Sequence, residues 1–306
     1  MSRVLLDFRN GHPGLREAFE ALGHEVLENA EGDLAGAGLC VADLTDCARR
    51  IRRTLNLRRK LAACGAAFVA LDRDAPWHRG VHRGRLAALA WLAPFDACAT
   101  HSMQSARRFS ARSFYCPNAA RESLFRCSDD ELRAMRDPAY FRWDVSFVGN
   151  LDSRRYPEHA RRVELLRALE ARLGPRNLRA LFRDGSGLAE SQQVEIIKRS
   201  RINLSALAAC DAGSEPSWGL PERCYGVPAA GGFLLSDRRR HAADDFAADE
   251  RAEHASLDDC AAKIEHFLAH PDAARAVAER AHARVMREHL YRHRAARLLD
   301  FAVHAR

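Results

Sequence analysis

Several side chains suited to binding an anion lie close together in residues 201–237. Ser214, Ser217 and Gly219 precede a short helix predicted over residues 221–230, and Arg223 lies in its first turn. A helix start offers free N–H groups and the positive end of the helix dipole, and both attract phosphate. An arginine there adds a two-pronged guanidinium contact. The stretch therefore predicts a site for an anionic ligand, most simply a nucleotide diphosphate, but an ordinary crossover with a surface arginine has the same pattern.

A second group of residues suits acid–base chemistry. His12 lies in a glycine-containing turn after the first predicted strand, where an imidazole could act as a general base. Asp72 and Asp74 follow the strand predicted over residues 66–71, and a carboxylate there could deprotonate a hydroxyl. Each has a structural alternative: a histidine in a surface turn, and aspartates that cap a loop. Trp77 and His78 follow; we favour core packing for them over stacking on a ligand.

A long helix predicted over residues 46–64, capped by Asp46, is strongly basic. No acidic residue occurs between Asp46 and Asp72. Its cations are Arg49, Arg50, Arg52, Arg53, Arg58, Arg59 and Lys60. They form either a solvated face or a surface that receives a polyanion, such as DNA, a phosphorylated glycan or an anionic membrane.

The elements that must position these residues alternate between strand and helix. Short apolar runs bounded by turn residues predict strands, and the segments between them have helical periodicity. Such alternation is typical of a parallel sheet with helices on both faces. A charged connector over residues 129–142 separates two runs of this kind, and the chain becomes helical after residue 237. We therefore predict two doubly wound α/β domains.

Composition agrees with a globular protein of 306 residues, with 47% apolar and 29% charged residues. The formal net charge of +7 suits an anionic ligand or surface without naming one. Nine cysteines show no C-x-x-C pair and lie mostly in apolar surroundings, which predicts free thiols in a reducing compartment. The N-terminus lacks the apolar core of a signal peptide, and no apolar run approaches 18 residues. We expect a cytoplasmic protein.

The second half resembles a known family in an ordered series of blocks. Residues 144–150 (DVSFVGN) with Arg154, and residues 197–204 (IKRSRINL), resemble two of its strand motifs. Residues 223–237 (RCYGVPAAGGFLLSD) resemble its R-x-F-E-x-x-A-x-G-G-x-L-L-T-D block. Residues 256–259 and 267–272 resemble its later helices, and residues 116–125 more loosely resemble its passage between domains. The family is the CgeB-like, or spore-maturation-like, glycosyltransferases, which have the GT-B fold.

The resemblance implies two Rossmann-like domains facing a cleft, and an enzyme that moves a sugar from a nucleotide-sugar donor to an acceptor hydroxyl. It implies no bound metal and no cofactor besides the donor. The acceptor is unidentified, with a polyanion as one candidate. The expected domains are residues 1–128 for the acceptor, a linker at 129–143, residues 144–285 for the donor, and a returning helix at 286–306. The expected donor-binding residues are Gly149, Asn150, Arg154, Ser205, Glu222, Arg223 and Gly226.

One position departs from the family. Its block has a glutamate three residues after the arginine, where it anchors the donor ribose, and this chain has Gly226. Either Glu222 or Glu215 replaces that carboxylate, or the donor is held differently, or activity is lost. Glycine costs a helix up to about 1 kcal/mol relative to alanine, so we expect a close approach to Gly226 by the ligand or the neighbouring strand. The alternative function is a non-catalytic relative that binds nucleotide or nucleic acid.

Overall fold

The computed structural model describes residues 3–28, 34–73, 83–154, 159–206 and 219–304. The chain divides into two compact units, residues 1–118 with 291–306, and residues 119–290. Each unit is built on a parallel sheet, which confirms the predicted α/β class with two sheets.

The strands are β1 Arg3–Asp7, β2 Glu25–Glu28, β3 Ala37–Asp43, β4 Ala67–Asp72, β5 Ala97–Thr100, β6 Ser113–Tyr115, β7 Trp143–Gly149, β8 Ala180–Asp184, β9 Ser200–Ser205, β10 Leu234–Asp237 and β11 Ala252–His254. The α-helices are α1 Pro13–Ala21, α2 Leu44–Arg49, α3 Ile51–Ala63, α4 Arg83–Leu92, α5 Met103–Ala106, α6 Asp129–Ala134, α7 Ala160–Leu173, α8 Glu190–Lys198, α9 Arg223–Ala229, α10 Ala242–Asp245, α11 Leu257–Ala269, α12 Pro271–Glu288 and α13 Tyr291–His304.

The first unit holds a six-stranded sheet in the order β2-β1-β3-β4-β5-β6, with every pair parallel. All seven residues of β3 are buried, as expected for a strand covered on both faces. The pairing of β4 with β5 places Asp72 opposite Thr100 at the carboxyl ends of the strands. α13 packs against α1, where Gly14 faces the Tyr291 ring with no room for a Cβ atom.

The predicted long basic helix is wrong, because the segment forms two helices. Asp43, and not Asp46, caps α2: its Oδ1 accepts from the Asp46 N–H at 2.9 Å. The break falls at Arg50, whose φ of −130° and ψ of 51° lie outside the helical region. The Thr54 hydroxyl donates to the Cys47 carbonyl at 3.1 Å, which also accepts from the Arg50 N–H at 3.2 Å, so this bond ties the start of α3 to the end of α2.

The second unit holds a five-stranded parallel sheet in the order β11-β10-β9-β7-β8. The three-residue β11 was missed because the region after residue 237 was expected to be helical. α9 begins at Arg223, two residues later than predicted, so Pro221 precedes the helix. The apolar side chains of β7, β9 and β10 pack against α7, α11 and α12 and form the core of the unit.

Candidate functional site

Near the carboxyl end of β7 lies an arginine that has no acidic partner among the described residues. The guanidinium of Arg223, from the start of α9, lies 4.7 Å above the Phe147 ring. Within the ranges that the structure describes, no carboxylate pairs with it. Burial, and to a smaller degree the nearby guanidinium of Arg162, lowers the pKa of Arg223 to about 10. The side chain therefore remains charged at neutral pH, and a half-buried charge without a carboxylate partner in the described ranges suits the binding of an anion.

Gly149 makes room for that guanidinium. A Cβ atom at Gly149 would lie 2.5 Å from Nη2 of Arg223 and 3.1 Å from Cζ of Phe147. A side chain at this position would displace the arginine. Glycine is thus required here by a close approach of side chains, since its backbone φ is not in the left-handed region.

Arg162 is a second guanidinium at the same place, and the sequence reasoning missed it. Its Nε donates to the Ala206 carbonyl and its Nη1 to the Asn150 carbonyl, both at 2.9 Å. It lies 5.6 Å from the Phe147 ring and is buried. On α7 it shares the buried face with Leu166, Leu169 and Leu173. An arginine in an apolar helical stripe was the signal that could have identified it.

The turn after β7 is shaped by its own polar side chains. Asn150 Oδ1 accepts from the Asp152 N–H at 2.9 Å, and Asp152 Oδ1 accepts from the Arg154 N–H at 3.1 Å. The side chain of Arg154 is exposed, so the structure does not bring it to Arg223. Gly149 and Asn150 therefore lie at the predicted site, while Arg154 lies on the surface beside it.

The remaining predicted donor residues lie on β9 and around α9. Ser205 is buried at the carboxyl end of β9. Glu222 is exposed immediately before α9. Gly226 is buried, and the close approach is made by an aromatic ring: a Cβ atom there would lie 2.6 Å from Cζ of Phe125. Ser214, Glu215 and Ser217 lie outside the described residues.

A groove lies between α8, α9 and the segment around residue 125, and Arg223 is part of its wall. Its apolar lining consists of Leu124, Phe125, Val148, Val194, Ile197 and Val227. Its polar lining consists of Glu190, Gln193, Glu222 and Arg223. Apolar walls beside an unpaired cation suit a ligand with a flat ring and an anionic group.

The carboxyl end of the first sheet carries the predicted acid–base residues. Asp72 is buried, and its Oδ2 accepts from the Thr100 hydroxyl at 2.6 Å. Asp74 lies outside the described residues, as do Trp77 and His78. Since Asp72 and Asp74 are spaced as carboxylates that could share a divalent cation, the expectation of no metal stays a prediction. Among the described residues, no group of three or more histidine, cysteine or acidic side chains is arranged to hold one.

His12 is buried and caps α1. Its Nδ1 accepts from the Leu15 N–H at 3.2 Å, and its ring packs edge-on against Phe8 and Tyr291. Burial, and secondarily Arg73, lowers the pKa of His12 to about 3. The ring is neutral at ordinary pH, and because Nδ1 is an acceptor, the proton is assigned to Nε2. Nε2 has no partner in the described part of the chain. This environment suits a hydrogen-bond donor better than the predicted general base.

The basic segment separates into paired and unpaired cations. Arg53 forms two hydrogen bonds with Asp7, at 2.5 and 2.7 Å, and Arg58 forms two with Asp96, at 2.6 and 2.9 Å. Arg52, Arg59 and Lys60 are exposed, and no acid pairs with them among the described residues. The segment therefore exposes positive charge, but fewer of its cations are free of an acidic partner than the sequence suggests.

Comparisons with known proteins identify the family. A model of the glycosyl transferase-like family matches residues 131–300, more than half of the chain, and the protein belongs to that family. The prediction of a glycosyltransferase is thereby confirmed. A search of curated proteins found no match. In the described residues, no helix is both long and apolar enough to cross a membrane.

Solved glycosyltransferase structures share the whole fold. Sucrose-phosphate synthase from Thermosynechococcus elongatus superposes with a TM-score of 0.66 at 12% identity, covering 99% of both chains. HepE of Anabaena, in complex with UDP and glucose, gives 0.63 at 13% identity, covering 99% of this chain and 100% of that one. A glycosyltransferase from Rickettsia africae gives 0.58 at 10% identity, covering 99% and 98%. The fold is that of the GT-B glycosyltransferases.

Proposed function

We propose that the protein transfers a sugar from a nucleotide-sugar donor to an acceptor hydroxyl, and that Arg223 binds the donor phosphates. The observation that carries this proposal is the half-buried guanidinium with no acidic partner among the described residues. Transfer leaves negative charge on the departing nucleoside diphosphate, and a fixed cation stabilises that charge as it develops. Related folds support the assignment, since HepE was solved with UDP-glucose.

The other donor contacts follow from the same end of the sheet. Gly149 and Asn150 supply the turn that a phosphate approaches, and Arg162 holds that turn through the Asn150 carbonyl. Glu222 lines the groove proposed for the nucleoside, and Gly226 lies behind the Phe125 ring that forms part of its wall. Ser205 contributes to donor binding by ordering the end of β9. Arg154 contributes through the long-range attraction between its positive charge and the phosphates. With the Arg223 guanidinium at the phosphates and the positive charge of Arg162 beside it, we propose that transfer needs no metal, and no cofactor besides the donor.

The first unit is proposed to receive the acceptor. Asp72, with Asp74 nearby in sequence, is the candidate base for the acceptor hydroxyl, and His12 is a neutral hydrogen-bond donor. The exposed cations Arg52 and Arg59 support a polyanionic acceptor. Reversing both to glutamate should then slow transfer to such an acceptor, and added salt should slow the unaltered protein similarly. Normal transfer by the variant at low salt contradicts this part of the proposal.

Two finer assignments belong to the same proposal. The ordered blocks from residue 144 to 272 support a place in the CgeB-like branch of the family. The eight cysteines that the structure describes are all free thiols, and most are buried, which supports a reducing, cytoplasmic location.

Calorimetry with a panel of nucleoside diphosphates, followed by an assay of donor hydrolysis, tests the function. We expect one base to bind best and its diphosphate sugar to be hydrolysed slowly without acceptor. Absence of binding to every diphosphate contradicts the proposal. Binding without any turnover, or binding of DNA alone, favours a non-catalytic relative instead.

A further inference from the structure

The wall of the groove beside α9 is the aromatic ring of Phe125, which cannot hydrogen-bond a sugar hydroxyl. Three ring carbons of Phe125 lie between 2.6 and 2.9 Å from the position that a Cβ atom at residue 226 would occupy. Only glycine allows the ring to lie this close to α9. The Phe125 ring therefore occupies the space that a side chain at residue 226 would fill.

The ring is a fixed part of the wall. The Phe125 N–H donates to the Arg121 carbonyl at 3.0 Å, which closes a turn of the backbone. The side chain packs against two apolar clusters, one around Tyr225 and Leu290 and the other around Val194 and Val227. A ring held from two sides keeps its position when a ligand enters the groove, because moving it would expose apolar surface.

The polar side chains of the groove are partly engaged within the protein or are exposed. Glu190 accepts from Arg121 at 2.9 Å. The amide nitrogen of Gln193 donates to the carbonyls of Gly185 and Leu188, at 3.1 and 3.2 Å. Arg223 is the cation assigned to the phosphates, and Glu222 is exposed to water. The group that covers Gly226 is the apolar ring of Phe125.

We infer that the groove binds the nucleoside by its base and its phosphates without reading the ribose hydroxyls, so that the protein accepts 2′-deoxyribonucleoside diphosphate sugars as well as ribonucleotide donors. This inference rests on the proposed function. A site built to hydrogen-bond a hydroxyl discriminates strongly against the analogue that lacks it. An apolar ring makes no such bond, and a hydroxyl placed against it gives up its bonds to water.

The test is calorimetric titration of the protein with matched pairs, UDP against 2′-deoxy-UDP and the same pair for the other bases. We expect the two Kd values of the best-binding pair to agree within about threefold. A preference of about tenfold or more for the ribonucleotide overturns the inference, since that is the scale of one charge-assisted hydrogen bond. If no diphosphate binds at all, the proposed function itself fails, which is a distinguishable result.

Variants of the ring and the glycine sharpen the test. Phe125→Ala with Gly226→Glu provides a carboxylate and the space for it, and should create a ribonucleotide preference of about tenfold. Phe125→Ala alone is the matched control and should create none. A folded double variant without any preference overturns the placement of the sugar at Phe125. Should the variants fail to fold, as judged by circular dichroism, the ratio measured on the unaltered protein still decides.

A further variant tests whether Glu222 recognises the ribose. Glu222→Gln should leave the ratio of the two Kd values unchanged. If the unaltered protein prefers the ribonucleotide and this variant loses the preference, then Glu222 reads the ribose and the inference is overturned.

Discussion

The carboxyl ends of the two sheets carry charge in opposite ways. At the first sheet, three buried carboxylates have partners from their own unit: Asp7 with Arg53, Asp43 with Arg73, and Asp72 with Thr100. At the second sheet, Arg223 is half-buried, and no described carboxylate pairs with it. The carboxylates of the first set have partners within their own unit, while the guanidinium of Arg223 has no carboxylate partner in the described part of the second unit.

This difference separates charges that stabilise the fold from charges that serve binding. Removing one partner of a buried pair leaves the other uncompensated and destabilises the protein. Removing the half-buried Arg223, which no described carboxylate neutralises, relieves a desolvation cost and weakens only the binding of the anion that it attracts. The two sheet ends should therefore respond to mutation in opposite ways.

Arg223→Ala should have the largest effect on binding. We expect nucleoside diphosphate affinity to fall by about 1.5–3 kcal/mol, the range for hydrogen bonds to a charged group, with unfolding free energy unchanged or raised. Calorimetry and urea unfolding give the two quantities. The control is Arg183→Ala, an exposed arginine at the end of β8. Unchanged affinity in the folded Arg223 variant would show that Arg223 does not bind the diphosphate, and that the two sheet ends do not differ in this way.

Arg53→Ala should do the reverse. Asp7 is 8% exposed at its side chain and Arg53 is 36% exposed, so the pair is only partly screened by water. We expect the free energy of unfolding to fall by about 2 kcal/mol, less than for a fully buried pair, with diphosphate affinity unchanged. Arg52→Ala, on the neighbouring exposed position, is the control for urea unfolding. A loss of affinity without a loss of stability contradicts this assignment.

His12 should make the first unit sensitive to acid. Its folded pKa, about 3, lies below the unfolded value of 6.5, so only the unfolded chain takes up a proton between them. Stability is complete above pH 6.5 and falls as the pH drops toward 3, by about 2 kcal/mol at pH 5. His12→Asn keeps an acceptor for the Leu15 N–H but does not titrate. Between pH 7 and pH 5, the unfolding free energy of this variant should fall by about 2 kcal/mol less than that of the unaltered protein. An equal fall in the two proteins refutes the prediction.

Gly149→Ala should have the smallest effect. The new Cβ would crowd Nη2 of Arg223, which can shift because it ends a flexible side chain. We expect diphosphate affinity to fall about fivefold, roughly 1 kcal/mol, with the fold retained. Gly187→Ala is the matched control, since no atom lies within 4 Å of its Cβ position. Equal affinities for the two variants would show that the position of Arg223 does not depend on this glycine.

Periodicity and turn residues predicted most of the elements around both sites. The alternation of apolar strands with helices led to two parallel sheets, and the block at residues 223–237 led to Arg223 at the start of α9. These are local signals: side-chain spacing follows from helix and strand geometry, and a helix start has the same free N–H groups in any fold.

The sequence by itself determined which charges the chain possesses, and only the tertiary structure decided which of them are neutralised within it. Arg53 and Arg58 look like Arg52 and Arg59 in sequence, yet the first two are paired with Asp7 and Asp96. The break at Arg50 and the ring of Phe125 over Gly226 likewise depend on contacts between residues far apart in the chain. Pairing requires two groups within a few ångströms, and that distance is set by packing, which sequence spacing does not encode.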